Sequence, residues 1–188
     1  MLVTDLYLVR HGHPLLNTGI AYDRPPGPPL SEVGRAEARL AGMYLASRGV
    51  QRLYTSPLDR AQATAALIGA ETGLPAVVVE ALAEHRREET FDDVQARMRA
   101  FLAHLEQETV SAIVLVSHGS PIKAMLLALS EGRLDLSRHI YPNGNHLPTA
   151  GIWHARRSAI EGATSGTGWT LDLVFKPVVA APPAHVPV

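Results

Sequence analysis

The stretch Leu6-Tyr7-Leu8-Val9-Arg10-His11-Gly12 decides the fold of this chain. Its first four residues are apolar without alternation, which predicts a strand buried on both faces at the centre of a parallel sheet. A second run of the same kind is Ala112-Ile113-Val114-Leu115-Val116. Shorter strand candidates are Arg52–Thr55 and Ala76–Val79.

Helical patterns separate these strands. One follows Ser31, a predicted N-cap, and another runs from about Phe91 to Glu108. Ser56-Pro57 and Ser120-Pro121 each predict a helix start, with serine as N-cap and proline as the first helical residue. Alternating strands and helices predict an α/β fold, a three-layer α/β/α sandwich with a mainly parallel central sheet.

The 188 residues fit one domain, and we interpret 1–188 as a single unit. We expect a proline-rich rim loop over Ala21–Pro29 and an extended tail from Pro177 to Val188. A loop and then a strand are expected between Tyr141 and Trp153, and a last strand over Thr170–Phe175.

Composition excludes several classes of protein. The formal net charge of −1 gives no broad attraction to nucleic acid or to an anionic membrane. The chain has no cysteine, so disulfides, thiolate metal sites and a cysteine nucleophile are excluded. No apolar run approaches the ~18 residues that cross a bilayer, and the first residues lack the features of a secretory signal. A cytoplasmic protein is the expectation.

Basic side chains follow three of the predicted strands. Arg10 and His11 come after the first strand, Arg60 after the Arg52–Thr55 strand, and His118 after the strand that starts at Ala112. Ligands of open parallel sheets bind beyond the carboxyl ends of the strands, so we expect these groups to share one pocket. Guanidiniums match phosphate oxygens, and the helix start near Ser120, with Gly119 before it, adds backbone donors.

This set predicts phosphoryl transfer. A neutral His11 can attack phosphorus and form a phosphohistidine, while His118 can stabilise the charge that develops on the phosphoryl oxygens. An acid for the leaving oxygen is also needed. Glu84 is the leading candidate, with Glu88 and Glu89 as nearby competitors.

Four segments, in this order, resemble the histidine phosphatase superfamily, the phosphoglycerate mutase-like group. They are Leu8–Gly12, Leu30–Ala38, Tyr54–Ala61 and Val116–Gly119. The resemblance implies that fold, with His11 as the phosphorylated nucleophile and Arg10, Arg60 and His118 as the phosphate pocket. It also implies Glu84 as proton donor and Asn17 as a phosphate contact, with no metal or cofactor.

Two segments depart from the family pattern. His13-Pro14 stands where Glu-Thr is common, and Leu16 where the same branch has Trp. The segment after Glu84, His85-Arg86-Arg87-Glu88-Glu89, lacks the frequent Gly-x-Trp-Glu-Gly. Both changes fall on the substrate side of the pocket, so they leave the transfer chemistry intact and the substrate open.

The reading that follows is a metal-independent phosphatase acting on phosphomonoesters of small metabolites. Mutase-type phosphoryl transfer and a non-catalytic phosphate-binding protein are the alternatives, and oligomeric state is left open, a homodimer included. His11-x-His13 also has the spacing of a metal pair, although no further ligands complete a site. Five other histidines show no ligand spacing: His104, His139, His146, His154 and His185.

Overall fold

One six-stranded sheet organises the protein, whose computed structural model describes residues 2–141, 144–157 and 168–179. In the described ranges the strands are β1 (Asp5–Arg10), β2 (Arg52–Thr55), β3 (Ala76–Val78), β4 (Ala112–Ser117), β5 (Ile152–Arg157) and β6 (Trp169–Phe175). Their spatial order is β3-β2-β4-β1-β5-β6. The first four in this order are parallel, and β5 and β6 are antiparallel to their neighbours. The predicted mainly parallel sheet is confirmed.

Two helical layers cover the sheet. The helices are α1 (Glu32–Ala46), α2 (Asp59–Thr72), α3 (Phe91–Leu105) and α4 (Gly119–Leu129). Leu6 and Leu8 of β1 pack in one apolar cluster with α3 and α4, whereas Tyr7 and Val9 pack in another with α1 and α2. Successive side chains of a strand point to opposite faces, so a strand covered on both faces must be apolar at every position. This confirms the predicted α/β/α sandwich.

Two of the predicted helix starts are confirmed. The Ser31 hydroxyl accepts a hydrogen bond from the Gly34 N–H and caps α1. Thr90 and Asp93 form a reciprocal capping box at the start of α3, which ends at Leu105.

The two Ser-Pro helix starts were wrong in position. α2 begins at Asp59, after an extended Leu58 that makes no side-chain cap. Ser56 lies outside the helix, and its hydroxyl contacts the His118 ring. α4 begins earlier than predicted, at Gly119, and Pro121 is its third residue. Proline is tolerated there because N–H groups of the first helical turn have no partner within the helix.

The later strands occur where they were expected. β5 begins at Ile152 within the predicted loop-and-strand region, and β6 includes the predicted Thr170–Phe175. The predicted tail is described only as far as 179, in a segment without regular structure, and residues 180–188 lie outside the described ranges. The interpretation of 1–188 as one domain stays a prediction. Among the described helices, none is long and apolar enough to span a membrane.

Candidate active site

The carboxyl ends of three neighbouring strands bring four basic residues together. Arg10 ends β1, His11 follows it, and His118 follows β4. Arg60 is the second residue of α2, the helix after β2. Arg10 is 6% exposed and the other three side chains are fully buried. The predicted gathering of these residues is therefore present in the structure.

His11 is held as a neutral imidazole. Its Nδ1 lies 2.7 Å from the Gly12 carbonyl oxygen, which can only accept, so Nδ1 carries the proton and Nε2 keeps its lone pair. Burial lowers the pKa of His11 well below its ordinary value, and the charges of Arg60 and Arg10 lower it further. The result is an unprotonated ring nitrogen inside a cationic pocket.

Among the described residues, no carboxylate makes a hydrogen bond to either of the two arginines in this pocket. Arg10 Nη1 donates to the Leu147 carbonyl at 2.8 Å, and Arg60 Nη2 donates to the Tyr22 carbonyl at 2.8 Å. Burial lowers the pKa of both guanidiniums, although arginine stays charged. A buried cation of this kind is costly unless an anion compensates it.

His118 is oriented by a serine. Its Nε2 lies 2.7 Å from Ser56 Oγ, which also accepts a hydrogen bond from the Leu58 N–H at 3.3 Å. We assign the Ser56 hydroxyl as donor to Nε2, which places the ring proton of His118 on Nδ1. Burial, followed by the neighbouring His11 and Arg60, lowers the pKa of His118 well below its ordinary value. The two histidine rings are 5.0 Å apart between centroids.

Glu84, the predicted proton donor, lies beside His118. One carboxylate oxygen of Glu84 accepts from the His85 N–H at 2.8 Å, and the other lies 4.0 Å from His118 Nδ1. The Glu84 side chain is 14% exposed. It follows a short 3₁₀ helix at Glu80–Leu82 that the sequence did not predict. The competing Glu89 is bound to Arg97 at 3.0 Å instead.

Buried polar atoms without a hydrogen-bond partner are concentrated in this site. Among the described residues, the buried side-chain nitrogens and oxygens that lack a hydrogen-bond partner are Arg10 Nε, Arg60 Nε, Arg60 Nη1 and His118 Nδ1. All four belong to this cluster, and all four are donors once His118 carries its proton on Nδ1. Leaving a buried donor unsatisfied costs about 1 to 3 kcal/mol, so such groups call for an explanation. A tetrahedral oxyanion would supply acceptors for all of them.

Two glycines allow the loop after His11 to lie against the start of α1. A Cβ on Gly12 would overlap the Gly34 carbonyl oxygen, and a Cβ on Gly34 would overlap the His13 carbonyl oxygen. The Gly12 N–H donates to Thr64 Oγ1 at 3.0 Å, which ties the same loop to α2. These contacts explain why glycine is needed both after His11 and in the first turn of α1.

Tyr22 is a site residue that the sequence did not single out. Its ring stacks on the Arg60 guanidinium at 3.9 Å, and its hydroxyl lies 3.4 Å from His11 Nε2. It belongs to the proline-rich loop that was interpreted only as a rim. Such a loop has no periodicity, and the signal that could have found this residue is a lone aromatic within it.

Three further residues were singled out from the sequence: Asn17, Gly119 and His13. Asn17 is exposed in the left-handed region with φ 57°, which suits a turn-forming Asn, and its predicted phosphate contact stays a prediction. Gly119 is the first residue of α4, and a Cβ there would overlap the side-chain amide of Asn145, a neighbour that the sequence did not suggest. His13 contacts Ser31 Oγ at 3.2 Å, so its ring lies against the start of α1.

The remaining histidines have ordinary surroundings. His139 packs edge-on against Trp153, His146 contacts the Leu136 carbonyl, and His154 contacts Asp5. His104 is exposed on α3, and His185 lies outside the described ranges. Within the part of the chain that the structure describes, no group of three or more potential metal ligands comes together.

Comparisons with known proteins agree with this geometry. The sequence pattern of the histidine phosphatase superfamily (branch 1) matches residues 6–87 and 85–146. A 2,3-bisphosphoglycerate-dependent phosphoglycerate mutase of Methylobacterium is 45% identical over 84 residues, 42% of this chain and 40% of the mutase. An uncharacterized protein of Mycobacterium tuberculosis is 45% identical over 71 residues, 38% of this chain and 35% of that protein. The alignments thus span well under half the length of these two relatives.

A solved structure covers more of the chain. Mycobacterial glucosyl-3-phosphoglycerate phosphatase, in complex with VO3, is similar with a TM-score of 0.70 and 26% identity, over 92% of this chain and 99% of that one. An uncharacterized phosphatase of Bacillus subtilis is 27% identical over 157 residues, 71% of this chain and 81% of its own length. The family pattern extends over more than half of the sequence and includes all four buried basic residues. The chain belongs to the histidine phosphatase superfamily, branch 1.

Proposed function

We propose that the protein is a phosphatase that hydrolyses phosphomonoesters of small metabolites through a phosphohistidine at His11. The observation that carries this proposal is the set of four buried nitrogens on Arg10, Arg60 and His118 that have no hydrogen-bond partner among the described residues, around a neutral His11. A phosphoryl group offers three oxygens for these donors and a phosphorus atom for the His11 Nε2 lone pair. The similarity to solved phosphatases supports the same reaction class.

The first step forms the phosphoenzyme. His11 Nε2 attacks phosphorus in line with the bond to the leaving oxygen, and the N–P bond forms as the P–O bond breaks. Arg10, Arg60 and the His118 Nδ1–H stabilise the negative charge on the phosphoryl oxygens. Glu84 gives its proton to the departing alkoxide, which leaves as the alcohol.

The second step releases phosphate. Glu84, now a carboxylate, accepts a proton from a water molecule whose oxygen attacks phosphorus. The P–N bond breaks, inorganic phosphate forms, and His11 returns to its neutral state. Two guanidiniums supply the positive charge that this reaction requires, so the proposed mechanism includes no metal step.

Hydrolysis of an aryl phosphate in the presence of EDTA tests the proposal. We expect turnover by the wild-type protein and a loss of more than about a thousandfold in His11→Ala, because the nucleophile is removed. His104→Ala is the matched control, since this histidine is exposed on α3. Absence of wild-type turnover, or equal activity in His11→Ala, would refute the proposal. Mass spectrometry of the protein quenched during turnover should locate a phosphoryl group on His11.

A second candidate is mutase-type transfer, which the Methylobacterium relative favours. It shares the first step, but the phosphoryl group passes to a second hydroxyl instead of water. Incubation with 3-phosphoglycerate and 2,3-bisphosphoglycerate separates the two, because a mutase yields 2-phosphoglycerate and a phosphatase yields inorganic phosphate. A non-catalytic protein would bind phosphate with His11 intact and yield neither product.

A further inference from the structure

An unusual concentration of apolar side chains adjoins the pocket. The described residues include ten exposed large apolar or aromatic side chains, and four of them, Leu15, Leu16, Ile20 and Tyr22, fall within eight consecutive residues. The other six are spread over five separate places: residue 2, residue 43, residues 77–78, residue 140 and residue 178. Scattered exposed apolar residues need no explanation, whereas grouped ones mark a binding surface. We name residues 15–22 the apolar loop.

The apolar loop is fixed at both ends. At its start, the Leu15 N–H donates to the Pro29 carbonyl at 2.7 Å, next to a backbone bridge between Pro14 and Leu30. At its end, the Tyr22 carbonyl accepts from Arg60, whose guanidinium also stacks on the Tyr22 ring. Ile20 is two residues from Tyr22, so its Cα lies within about 7 Å of that residue's Cα. The Tyr22 end of the loop therefore borders the mouth of the pocket.

The charged residues that follow Tyr22 contact the segment after Glu84, and most of these charges are paired. Asp23 accepts a hydrogen bond from the Arg87 N–H at 3.1 Å, and Arg24 contacts Asp23 at 3.5 Å and Glu88 at 4.0 Å. Arg86 is paired with Glu80 at 3.8 Å. Because these charged groups already have partners, they would gain little from contact with a second anionic group on a ligand. The apolar loop is thus the larger uncompensated feature of the mouth.

We propose that the substrates are phosphomonoesters of apolar alcohols, with an aryl or alkyl body that packs on Leu16, Ile20 and Tyr22. This inference rests on the proposed phosphatase function and adds the chemical class of the leaving group. Burying apolar surface of the alcohol against these side chains supplies binding free energy that a polar sugar phosphate lacks.

Tyr22 links the apolar loop to the reaction. Its hydroxyl is 3.4 Å from His11 Nε2, and the phosphorus atom must come within about 3 to 3.5 Å of the same nitrogen. The phenol and the phosphoryl group therefore exclude each other, and the phenol withdraws as substrate enters. The Tyr22 ring is 39% exposed, so it has room to move and still face the leaving group.

A series of n-alkyl phosphates from ethyl to hexyl tests the inference. We expect kcat/KM of the wild-type protein to rise by up to about fourfold for each methylene group that packs on the loop. In the double variant Leu16→Ser with Ile20→Ser the rise should flatten, while ethyl phosphate keeps its wild-type kcat/KM within about twofold. Met43→Ser is the control, because Met43 is as exposed as Leu16 but lies on α1.

The outcomes separate this inference from the proposed function. If no ester is hydrolysed, the phosphatase proposal fails. If an aryl phosphate is hydrolysed but the alkyl series is flat, or glycerol 3-phosphate is preferred to hexyl phosphate, only the substrate class is refuted. The role of the loop is also refuted if kcat/KM still rises with alkyl chain length in the double variant. The same holds if Met43→Ser flattens this rise to the same extent. Faster hydrolysis of a phosphopeptide than of any alkyl phosphate would overturn the inference in favour of a protein substrate.

Discussion

The two ends of β1 differ in whether their charged groups are fully hydrogen-bonded. At the amino end, the His154 ring lies 2.8 Å from Asp5 and stacks on Tyr7, and the Thr4 hydroxyl donates to the second Asp5 oxygen at 2.7 Å. At the carboxyl end, Arg10 and its neighbour Arg60 are buried, and three of their nitrogens have no hydrogen-bond partner in the described part of the chain. The same strand thus carries one end with satisfied charges and one end with unsatisfied charges. The paired charges stabilise the first end, and the proposed phosphate site lies at the second.

Replacing a buried arginine of the pocket should reduce activity more than any other change described below. In Arg60→Met, kcat/KM for an aryl phosphate should fall by about a hundredfold to a thousandfold, because a donor to the developing charge is lost. The melting temperature should stay the same or rise, because an uncompensated buried charge is removed. Activity assays and calorimetry measure the two effects. A joint loss of activity and of several degrees in Tm would mean that Arg60 supports the fold.

Acid should destabilise the protein through the two pocket histidines. The folded pKa values of His11 and His118 lie well below 6.5, so at pH below 6.5 the unfolded chain binds protons that the folded protein does not. The free energy of unfolding should therefore fall by roughly 1 kcal/mol per pH unit for each histidine as pH drops below 6.5. Urea unfolding at pH 6.5 and 5.5 measures this, and the double variant His11→Gln with His118→Asn should lose that contribution.

Ser56→Ala keeps the His118 ring but removes the hydroxyl that orients it. We expect kcat/KM to fall about tenfold to a hundredfold, since the ring loses the donor that places its proton on Nδ1. The ¹⁵N chemical shifts of the His118 ring should report a change of tautomer. Ser130→Ala is the control, because Ser130 is also buried but lies at the end of α4. An unchanged tautomer in Ser56→Ala would contradict the assignment.

Asp5→Ala, at the satisfied end of β1, should have the smallest effect. Loss of the hydrogen bonds from His154 and Thr4 should lower the free energy of unfolding by about 1 kcal/mol. Because the pocket lies at the other end of the strand, kcat/KM should remain within about twofold of wild type. A large loss of activity would show that the two ends are coupled.

The parts of the structure that the sequence predicted are those set by local patterns. The runs around Leu8 and Val114 are apolar at every position because helices cover both faces of the sheet, so they identified the central strands and the edge where basic residues meet. The local pattern around Ser56 did not reveal that its hydroxyl contacts His118, 62 residues away, and does not cap α2. Tyr22 was missed for the same reason, since only the folded chain brings it to Arg60.

The mutual contact of Gly12 and Gly34 has a consequence for how this protein can evolve. Neither position can accept a side chain without displacing backbone of the other segment, and a second change cannot make room for the first. Selection from a saturation library should therefore return glycine at both positions. Diversity should survive instead between residues 15 and 24 and between 85 and 88. New ligand preferences can accumulate in those two segments while the geometry of the phosphoryl-transfer centre is inherited unchanged.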